Sequence, residues 1–221
     1  MTTPIKIDFV SDVSCPWCVI GLRALQDAIV RVGDAATAEI HFQPFELNPD
    51  MVAEGEDTTE HLAKKYRLTP EQAAANRESI RARGAALGFE FRLDKRNRIY
   101  NTFDAHRLLH WAALEGRQLA LKEALFSAYF TDGESPASHE VLIRLAGEVG
   151  LDQARAGEIL ASDIYAVEVR EHERFYLDNG IHAVPAVIIN ERFLISGGQP
   201  AEVFERALRQ AAEESTEALK V

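Results

Sequence analysis

The chain has 221 residues, of which 47% are hydrophobic, enough to bury a core in one domain with an insertion or in two closely packed domains. The formal net charge of −11 argues against nucleic-acid binding and anionic-membrane anchoring, which both need clustered Lys and Arg. Because no basic and then apolar leader precedes the first strand and no run reaches transmembrane length, we expect a cytoplasmic protein without a membrane partner.

The two cysteines of the chain lie where a predicted strand becomes a predicted helix. Residues 5–10 alternate between apolar and polar types, which indicates a strand. After Cys18, apolar residues recur three and four positions apart until Gly33, which indicates a helix that stops at this glycine. Cys15 and Cys18 therefore occupy the start of the first helix.

This position favours redox chemistry. Pro16 suits the first helical turn, so Cys15 is the expected N-cap residue. Unpaired backbone N–H groups and the positive end of the helix dipole favour a thiolate there. A thiolate attacks disulfides, and a second thiol three residues on can displace the mixed disulfide that forms. We therefore assign Cys15 as the attacking sulfur and Cys18 as the resolving sulfur.

Two cysteines in a chain of this kind have three other possible uses. A structural disulfide would close a very short loop, and we see no export signal. A structural zinc site normally needs four ligands, and there is no second cysteine pair. Inert core cysteines need no particular context, whereas a strand-to-helix junction is the context typical of a redox pair.

The rest of the chain frames a helical block between two strand-containing ends. Residues 39–45 alternate again, which predicts a parallel β-α-β unit. From Leu47 to Ser162 no convincing strand is found, and Phe89 to Phe91 is a short extended piece. The predicted helices run from Thr58 or Thr59 to Tyr66, from Thr69-Pro70 to Gly84 or Gly88, from Asn101-Thr102 to Gly116, from Leu119 to Phe130, from Ser138 or His139 to Val149, and from Asp152 to Leu160. Thr58 or Thr59 is the expected cap of the first of them.

The C-terminal part predicts a helix, a hairpin and a closing helix. The first helix covers Ile164 to Leu177, with Glu171, Glu173 and Arg174 exposed to solvent. An antiparallel pair follows: a strand after Pro185, the tight turn Asn190-Glu191, and a strand at 192–195. The closing helix covers residues 201–212, and the last few residues are expected to fray.

Five motifs together resemble one family. They are Ser-Asp-Val-Ser-Cys-Pro-Trp-Cys-Val-Ile-Gly at 11–21, Phe-Gln-Pro-Phe-Glu-Leu-Asn-Pro at 42–49, Asn-Thr-Phe-Asp-Ala-His at 101–106, Val-Pro-Ala-Val at 184–187 and Ile-Ser-Gly-Gly-Gln-Pro at 195–200. The chain resembles the DsbA family over essentially its whole length, and its FrnE-type branch in particular. The resemblance implies an α/β thioredoxin fold (β-α-β, then α-β-β-α) in residues 1–46 and 163–221, with an inserted helical subdomain at 47–162.

The resemblance also implies a substrate site. Pro185 would follow a cis peptide bond beside the cysteines, and Val184 would offer its backbone to an extended substrate. Asn101 and His106 would line the cleft that faces the cysteines. Pro16 and Trp17 complete the expected site, with Trp17 a partly exposed aromatic at the rim for substrate contact or packing.

A histidine pair and two single polar residues have two interpretations each. His106 and His110 are one helical turn apart and could share a metal, but without further ligands they favour ordinary polar contacts, and we expect no metal. Asp12 could accept the proton of Cys18, or could cap the loop. His182 could lie near the site, or be a plain loop residue.

The sequence therefore predicts a dithiol-disulfide oxidoreductase acting on protein or small-molecule thiols and disulfides. No metal or organic cofactor is needed, and glutathione is a candidate co-substrate. The alternative is a glutathione-dependent isomerase or transferase of the type that includes 2-hydroxychromene-2-carboxylate isomerase, in which the helix terminus holds the glutathione thiolate. A third possibility is a sensor or chaperone that only binds its partner. The sequence also leaves open whether the protein forms a homodimer.

Overall fold

A computed structural model describes residues 3–218. The strands are β1 Thr3–Ser11, β2 Ala36–Pro44, β3 Glu56–Asp57, β4 Arg98–Ile99, β5 Ala186–Ile189 and β6 Phe193–Ser196. The helices are α1 Pro16–Val32, α2 Thr58–Tyr66, α3 Pro70–Ala86, α4 Phe103–Leu114, α5 Gln118–Ser127, α6 His139–Glu148, α7 Gln153–Leu160, α8 Ala166–Asp178 and α9 Ala201–Ala218. A 3₁₀ turn covers Gly33–Ala35, and a π-helical turn covers Ala128–Asp132.

The main sheet has the order β2-β1-β5-β6. β2 is parallel to β1, while β5 is antiparallel to β1 and β6 is antiparallel to β5. Since Val10 pairs with Ala186, the end of β1 that leads to Cys15 lies beside the start of β5, which follows Pro185. The register therefore brings two segments that are far apart in the sequence together at the same end of the sheet.

Helices cover both faces of this sheet. On one face, the buried side chains Ile5, Ile7 and Phe9 of β1 pack in a core with residues of α1 and α9. On the other face, Val10 packs with Tyr176 of α8 and with Ile181 in the segment that follows α8. This mixed α/β arrangement confirms the predicted thioredoxin fold.

The helices between β2 and α8 have a core of their own, centred on buried residues of α4 to α7. They are not packed separately from the sheet, because Phe89, Phe91 and Phe130 belong to the same buried cluster as β1 and α1. The division of the chain at 46/47 and at 162/163 stays a prediction.

The predicted elements are confirmed with several corrections at their ends. Thr69 caps α3, and its side chain and that of Gln72 bond reciprocally to the backbone, as expected from Thr-Pro-Glu-Gln. The hairpin turn Asn190-Glu191 has φ of 49° and 58°, the left-handed pair that a two-residue hairpin requires. The helix predicted from Ile164 begins later, at Ala166, because Tyr165 has a left-handed φ of 63°.

Four further expectations need correction. The block after Leu47 contains a strand pair, β3 and β4, whose two-residue strands are too short to give a periodic signal. The cap of α2 is Asp57, whose carboxylate accepts bonds from two backbone N–H groups, rather than Thr58 or Thr59. Glu173 is buried rather than solvated, because Arg170 binds its carboxylate. α9 extends to Ala218, and residues 219–221 lie outside the described range.

Candidate active site

Cys15 lies at the N-terminus of α1. Its backbone is extended (φ −93°, ψ 113°), Pro16 follows at the first helical position, and the first turn carries no acidic residue. The backbone N–H of Cys18 donates to the carbonyl of Cys15 at 3.1 Å. The amide groups and the positive end of the helix therefore act on the Cys15 sulfur without a competing negative charge from this turn.

The side chains of Cys15 and Cys18 are 3.4 Å apart and form no disulfide in this structure. Cys15 is 4% exposed, whereas Cys18 is completely buried. Burial raises the pKa of the Cys18 thiol well above its ordinary value, and the neighbouring Cys15 raises it further, against the opposing charge of Lys122. The pair thus has an outer sulfur and an inner thiol that holds its proton.

The segment before β5 lies against the outer sulfur. The Val184–Pro185 peptide bond is cis, and the Cys15 Sγ lies 3.7 Å from the Val184 carbonyl oxygen. Pro185 also packs closely on α1, because a Cβ added at Gly21 would lie 3.1 Å from the proline Cγ. Glycine at position 21 therefore allows the proline to approach the helix beside the cysteines.

A cavity of about 620 Å³ opens in front of Cys15, and we call it the cysteine cavity. Pro16, Trp17, Val184 and His182 also line it, and α2 and α3 contribute apolar side chains to its walls. Its cationic lining residues are Lys65, Arg77 and Arg96, whereas Glu46 is the acidic one. Cations thus outnumber acids around the outer sulfur, although the whole chain is strongly acidic.

Asp12 has the capping role that was one of its two interpretations. Its carboxylate accepts bonds from the backbone N–H of Ser14 at 3.1 Å, the hydroxyl of Ser14 at 2.9 Å and the backbone N–H of Leu47 at 2.7 Å. Burial opposes its ionisation, but these bonds and the interaction with His106 together lower the pKa of Asp12. Asp12 is therefore a fixed anion that ties β1 to the loop after β2.

Asn101 acts on the cysteine cavity through Glu46. Its side-chain amide donates to the Glu46 carboxylate and to the Pro49 carbonyl, both at 3.1 Å, and its oxygen caps Phe103 at 2.9 Å. Arg170 binds the same Glu46 carboxylate. Burial raises the pKa of Glu46, although Arg170 opposes the shift. Asn101 thus holds a lining residue and does not itself line the cavity.

His106 also does not line the cysteine cavity. It is buried, and its Nε2 lies 3.7 Å from the Asp12 carboxylate, longer than a hydrogen bond. It lines a second cavity of about 230 Å³, which we call the histidine cavity; the histidines that line it are His41, His106, His110 and His172. Within residues 3–218, no group of three or more His, Cys, Asp or Glu side chains is arranged to hold a metal ion.

The sequence pattern does not predict the position of one charged residue, which lines the histidine cavity. Lys122 of α5 is fully buried, lines the histidine cavity and interacts electrostatically with Cys18, Asp12 and Cys15. The available signal was a single lysine inside a helix that is apolar on most sides, Leu119 to Phe130. A lysine in such a helix lies either at its exposed edge or inside the protein, and the sequence pattern does not distinguish the two positions.

A four-stranded sheet that places two cysteines at the first strand-helix junction, opposite a proline that opens β5, defines a protein of the thioredoxin-like class. Residues 6–209 match the family described as the DSBA-like thioredoxin domain, and the chain belongs to this family. In the described range, no helix is both long enough and apolar enough to cross a membrane.

Known proteins resemble the chain over almost its whole length. A probable DsbA oxidoreductase of Streptomyces coelicolor is 35% identical, with a TM-score of 0.89 over 95% of this chain and 91% of that one. The uncharacterized protein YwbO of Bacillus subtilis is 28% identical over 94% of this chain and 96% of its own. The cytosolic disulfide reductase DsbM of Pseudomonas aeruginosa, solved with glutathione, shares the fold at 17% identity, with a TM-score of 0.64 over 93% and 98% of the two chains.

Proposed function

We propose that the protein is a cytoplasmic thiol-disulfide oxidoreductase of the FrnE-type branch of its family. The observation that carries the proposal is the arrangement of the two sulfurs, 3.4 Å apart, with Cys15 on the wall of a cavity and Cys18 buried behind it. Cys15 attacks a substrate disulfide, and Cys18 resolves the mixed disulfide. No metal or organic cofactor takes part.

The substrate lies in the cysteine cavity. An extended segment that reaches Cys15 passes the Val184 and Pro185 backbone, where the Val184 carbonyl is already within 3.7 Å of the sulfur. Pro16 and Trp17 form the adjacent wall, and the guanidinium carbon of Arg83 lies 5.2 Å from the centre of the Trp17 ring. Trp17 is therefore held in place as a surface on which the substrate packs.

The size and charge of the cavity favour a small acidic partner. A volume of about 620 Å³ is within the range of small-molecule sites, and Lys65, Arg77 and Arg96 supply cations for carboxylates. Glutathione carries two carboxylates and a thiol, and it is the ligand of the Pseudomonas aeruginosa neighbour with the same fold. These residues therefore favour glutathione as the thiol partner of the protein in the cytoplasm.

Redox titration tests the proposal. The purified protein is equilibrated in glutathione buffers, and the state of the pair is read from Trp17 fluorescence and from thiol alkylation followed by mass measurement. One reversible two-electron transition is expected, and its midpoint gives the direction of electron flow. Cys15→Ser removes the transition, while Cys18→Ser accumulates glutathione on Cys15.

The same variants separate exchange from glutathione-dependent isomerisation. If the wild type never forms the internal disulfide, and Cys18→Ser leaves conversion of a glutathione-activated small molecule unchanged, the exchange proposal fails. The helix terminus would then hold the glutathione thiolate directly, and Cys18 would have only a packing role.

A further inference from the structure

Lys122 is buried on the wall of the histidine cavity without a hydrogen-bonded counter-ion. Its side chain has no exposed surface, and within residues 3–218 its Nζ has no hydrogen-bond acceptor. The nitrogen lies 5.6 Å from the ring centre of Phe42, which lines the same cavity, and 5.0 Å from that of Phe126. Aromatic faces offset only part of the cost of burying an ammonium, so the charge of Lys122 calls for an anion.

A second nitrogen on this cavity also lacks a partner. His106 is 3% exposed, and in the described part of the chain its Nε2 forms no hydrogen bond. The Asp12 carboxylate lies 3.7 Å from it, and Ser14 and Leu47 already donate to that carboxylate. Because buried polar groups are nearly always satisfied in folded proteins, two unsatisfied nitrogens from one cavity indicate a ligand that carries acceptor atoms.

The amide donors of the cavity are already used. Gln118 bonds to the backbone N–H and the carbonyl of Phe42 through its side-chain oxygen and nitrogen, each at 2.9 Å. The side-chain amide of Gln43 donates to Asp8 at 2.7 Å. The donors left for a ligand are therefore the Lys122 ammonium and the ring nitrogens of the histidines.

The rest of the wall is apolar, and the cavity is small. Leu109 and Val169 are buried, while Ala113 and Leu114 are exposed, so the cavity opens beside the end of α4. Its volume of about 230 Å³ lies below the roughly 300–1,000 Å³ of sites for drug-sized ligands. A multiply charged anion such as phosphate would leave charge unpaired against these apolar side chains, whereas a monocarboxylate with a short apolar part matches both features.

We propose that the histidine cavity binds a small monocarboxylate, whose carboxylate pairs with the Lys122 ammonium and whose apolar part packs on Phe42, Leu109 and Val169. The carboxylate accepts a charge-assisted hydrogen bond and balances the buried charge. The inference goes beyond the proposed exchange function and does not depend on it, because the histidine cavity and the cysteine cavity share no lining residue.

Calorimetric titration with benzoate, butyrate and the neutral benzamide tests the site. The wild type is expected to bind benzoate at least about tenfold more tightly than benzamide, because only the carboxylate pairs with the ammonium. Lys122→Met is expected to weaken benzoate binding by at least about tenfold, whereas Lys64→Met, which changes an exposed lysine of α2, is the matched control. Equal benzoate affinity in the wild type and Lys122→Met overturns the proposal, as does a wild type that binds neither carboxylate at millimolar concentration.

A variant at the mouth of the cavity locates the bound anion with Lys122 intact. Ala113→Trp narrows the opening from an exposed position, so benzoate affinity is expected to fall by at least about threefold. The cations of the cysteine cavity offer a second place for a carboxylate, and Arg77 is one of them. If Arg77→Gln abolishes benzoate binding and Ala113→Trp does not, the anion lies in the cysteine cavity and the proposal is overturned.

Nitrogen NMR of the Lys122 amine tests the contact without a substitution. The charged and titratable groups around this amine are Asp12 before α1, Cys15 and Cys18 of α1, His41 of β2, His106 and His110 of α4, and His172 of α8. A bound carboxylate stabilises the ammonium, so saturating benzoate is expected to raise the pKa of Lys122 above its value of about 8. Benzoate affinity should then fall by up to about tenfold for each pH unit above 8. An unchanged pKa of Lys122 at saturating benzoate overturns the proposal even if the variants fail to fold.

Discussion

The sulfur of Cys15 lies 3.7 Å from the carbonyl oxygen of Val184, a residue 169 positions later in the chain. The pairing of β1 with β5 produces this contact, because Val10 opposes Ala186 and both segments lead into the site. The outer sulfur therefore has the helix terminus on one side and a backbone carbonyl on the other. Cys18 has neither the cavity nor this carbonyl as a neighbour.

The two cysteines are expected to react with iodoacetamide in a fixed order. Burial keeps Cys18 protonated and covered, so Cys15 is modified first at neutral pH and Cys18 follows only at higher pH or after unfolding. Peptide mass measurement over time gives the order. Cys15→Ser reports Cys18 alone, and equal rates for the two sulfurs in the wild type would contradict this account.

The charge of the cysteine cavity predicts substrate selectivity. Arg77→Gln removes one cation from the lining, so KM for oxidised glutathione is expected to rise by about threefold to tenfold, with little change for a neutral disulfide. Arg81→Gln, one turn further along α3, is the control, because Arg81 is exposed and binds Glu78 instead. The difference should shrink at high salt; an equal loss for neutral and acidic disulfides would argue against charge recognition.

Two helical glycines predict opposite effects of the same substitution. A Cβ at Gly84 of α3 would lie 2.3 Å from a ring carbon of Phe91, so Gly84→Ala is expected to destabilise the fold by about 1–3 kcal/mol. A Cβ at Gly157 of α7 would meet only Ile143, at 3.7 Å, so Gly157→Ala should stabilise by about 0.5–1 kcal/mol through helix propensity. Urea unfolding measures both, and a stabilising Gly84→Ala would show that Phe91 moves freely.

Local sequence patterns predict the helices and strands. The positions that these patterns do not predict share one cause. The alternation of residues 5–10, the Thr69-Pro70 helix start and the Asn190-Glu191 turn each depend on neighbours within a few positions, so the sequence contains them. Glu173 and Lys122 were misjudged or missed because their burial depends on distant segments. Arg170 binds both Glu173 and Glu46, which is 124 positions away from it, and the Lys122 nitrogen lies over Phe42.

The cavities on which Asn101 and His106 act also depend on contacts between distant segments. The five motifs indicated which residues gather near the cysteines, but not on which side of them. The structure places His106 on the histidine cavity and Asn101 behind Glu46, because α4 packs against α8 and β2. The direction of a side chain within a motif is set by tertiary packing, which no single stretch of sequence contains.

Arg170 is expected to hold the segment after β2 against α8 with a strength that depends on pH. It binds Glu46 and Glu173 and lies over the ring of Phe103 at 3.8 Å. Burial already raises the pKa values of both carboxyl groups, and losing the arginine raises them further. In the unfolded state both carboxyl groups have the ordinary glutamate pKa of 4.5, whereas in the folded variant their pKa values are higher. Between these two pKa values the folded state binds more protons than the unfolded state, so the free energy of unfolding of Arg170→Met falls as pH rises through this interval.

We expect Arg170→Met to lower the free energy of unfolding by about 2–3 kcal/mol at neutral pH and by less near pH 5. Because Arg170 is half-exposed, this loss is smaller than that for a fully buried ion pair. Urea unfolding at both pH values gives the two differences. Arg155→Met breaks an exposed pair with Glu158, together with a weaker interaction with Tyr165, and should cost less than about 0.5 kcal/mol at either pH. A penalty for Arg170→Met that does not depend on pH would mean that the arginine acts through packing on Phe103.

Lys122→Met is expected to make the protein more stable at neutral pH. The pKa of Lys122 is about 8 in the folded state against 10.5 as its ordinary value, so the unfolded state binds the proton more tightly, and the wild type loses up to about 3 kcal/mol below pH 8. Wild-type stability should therefore rise with pH from about 8 to 10.5, and this contribution to the rise should vanish in Lys122→Met. Thermal unfolding across that range measures both, and a variant less stable than the wild type at neutral pH would show that the buried ammonium supports the fold.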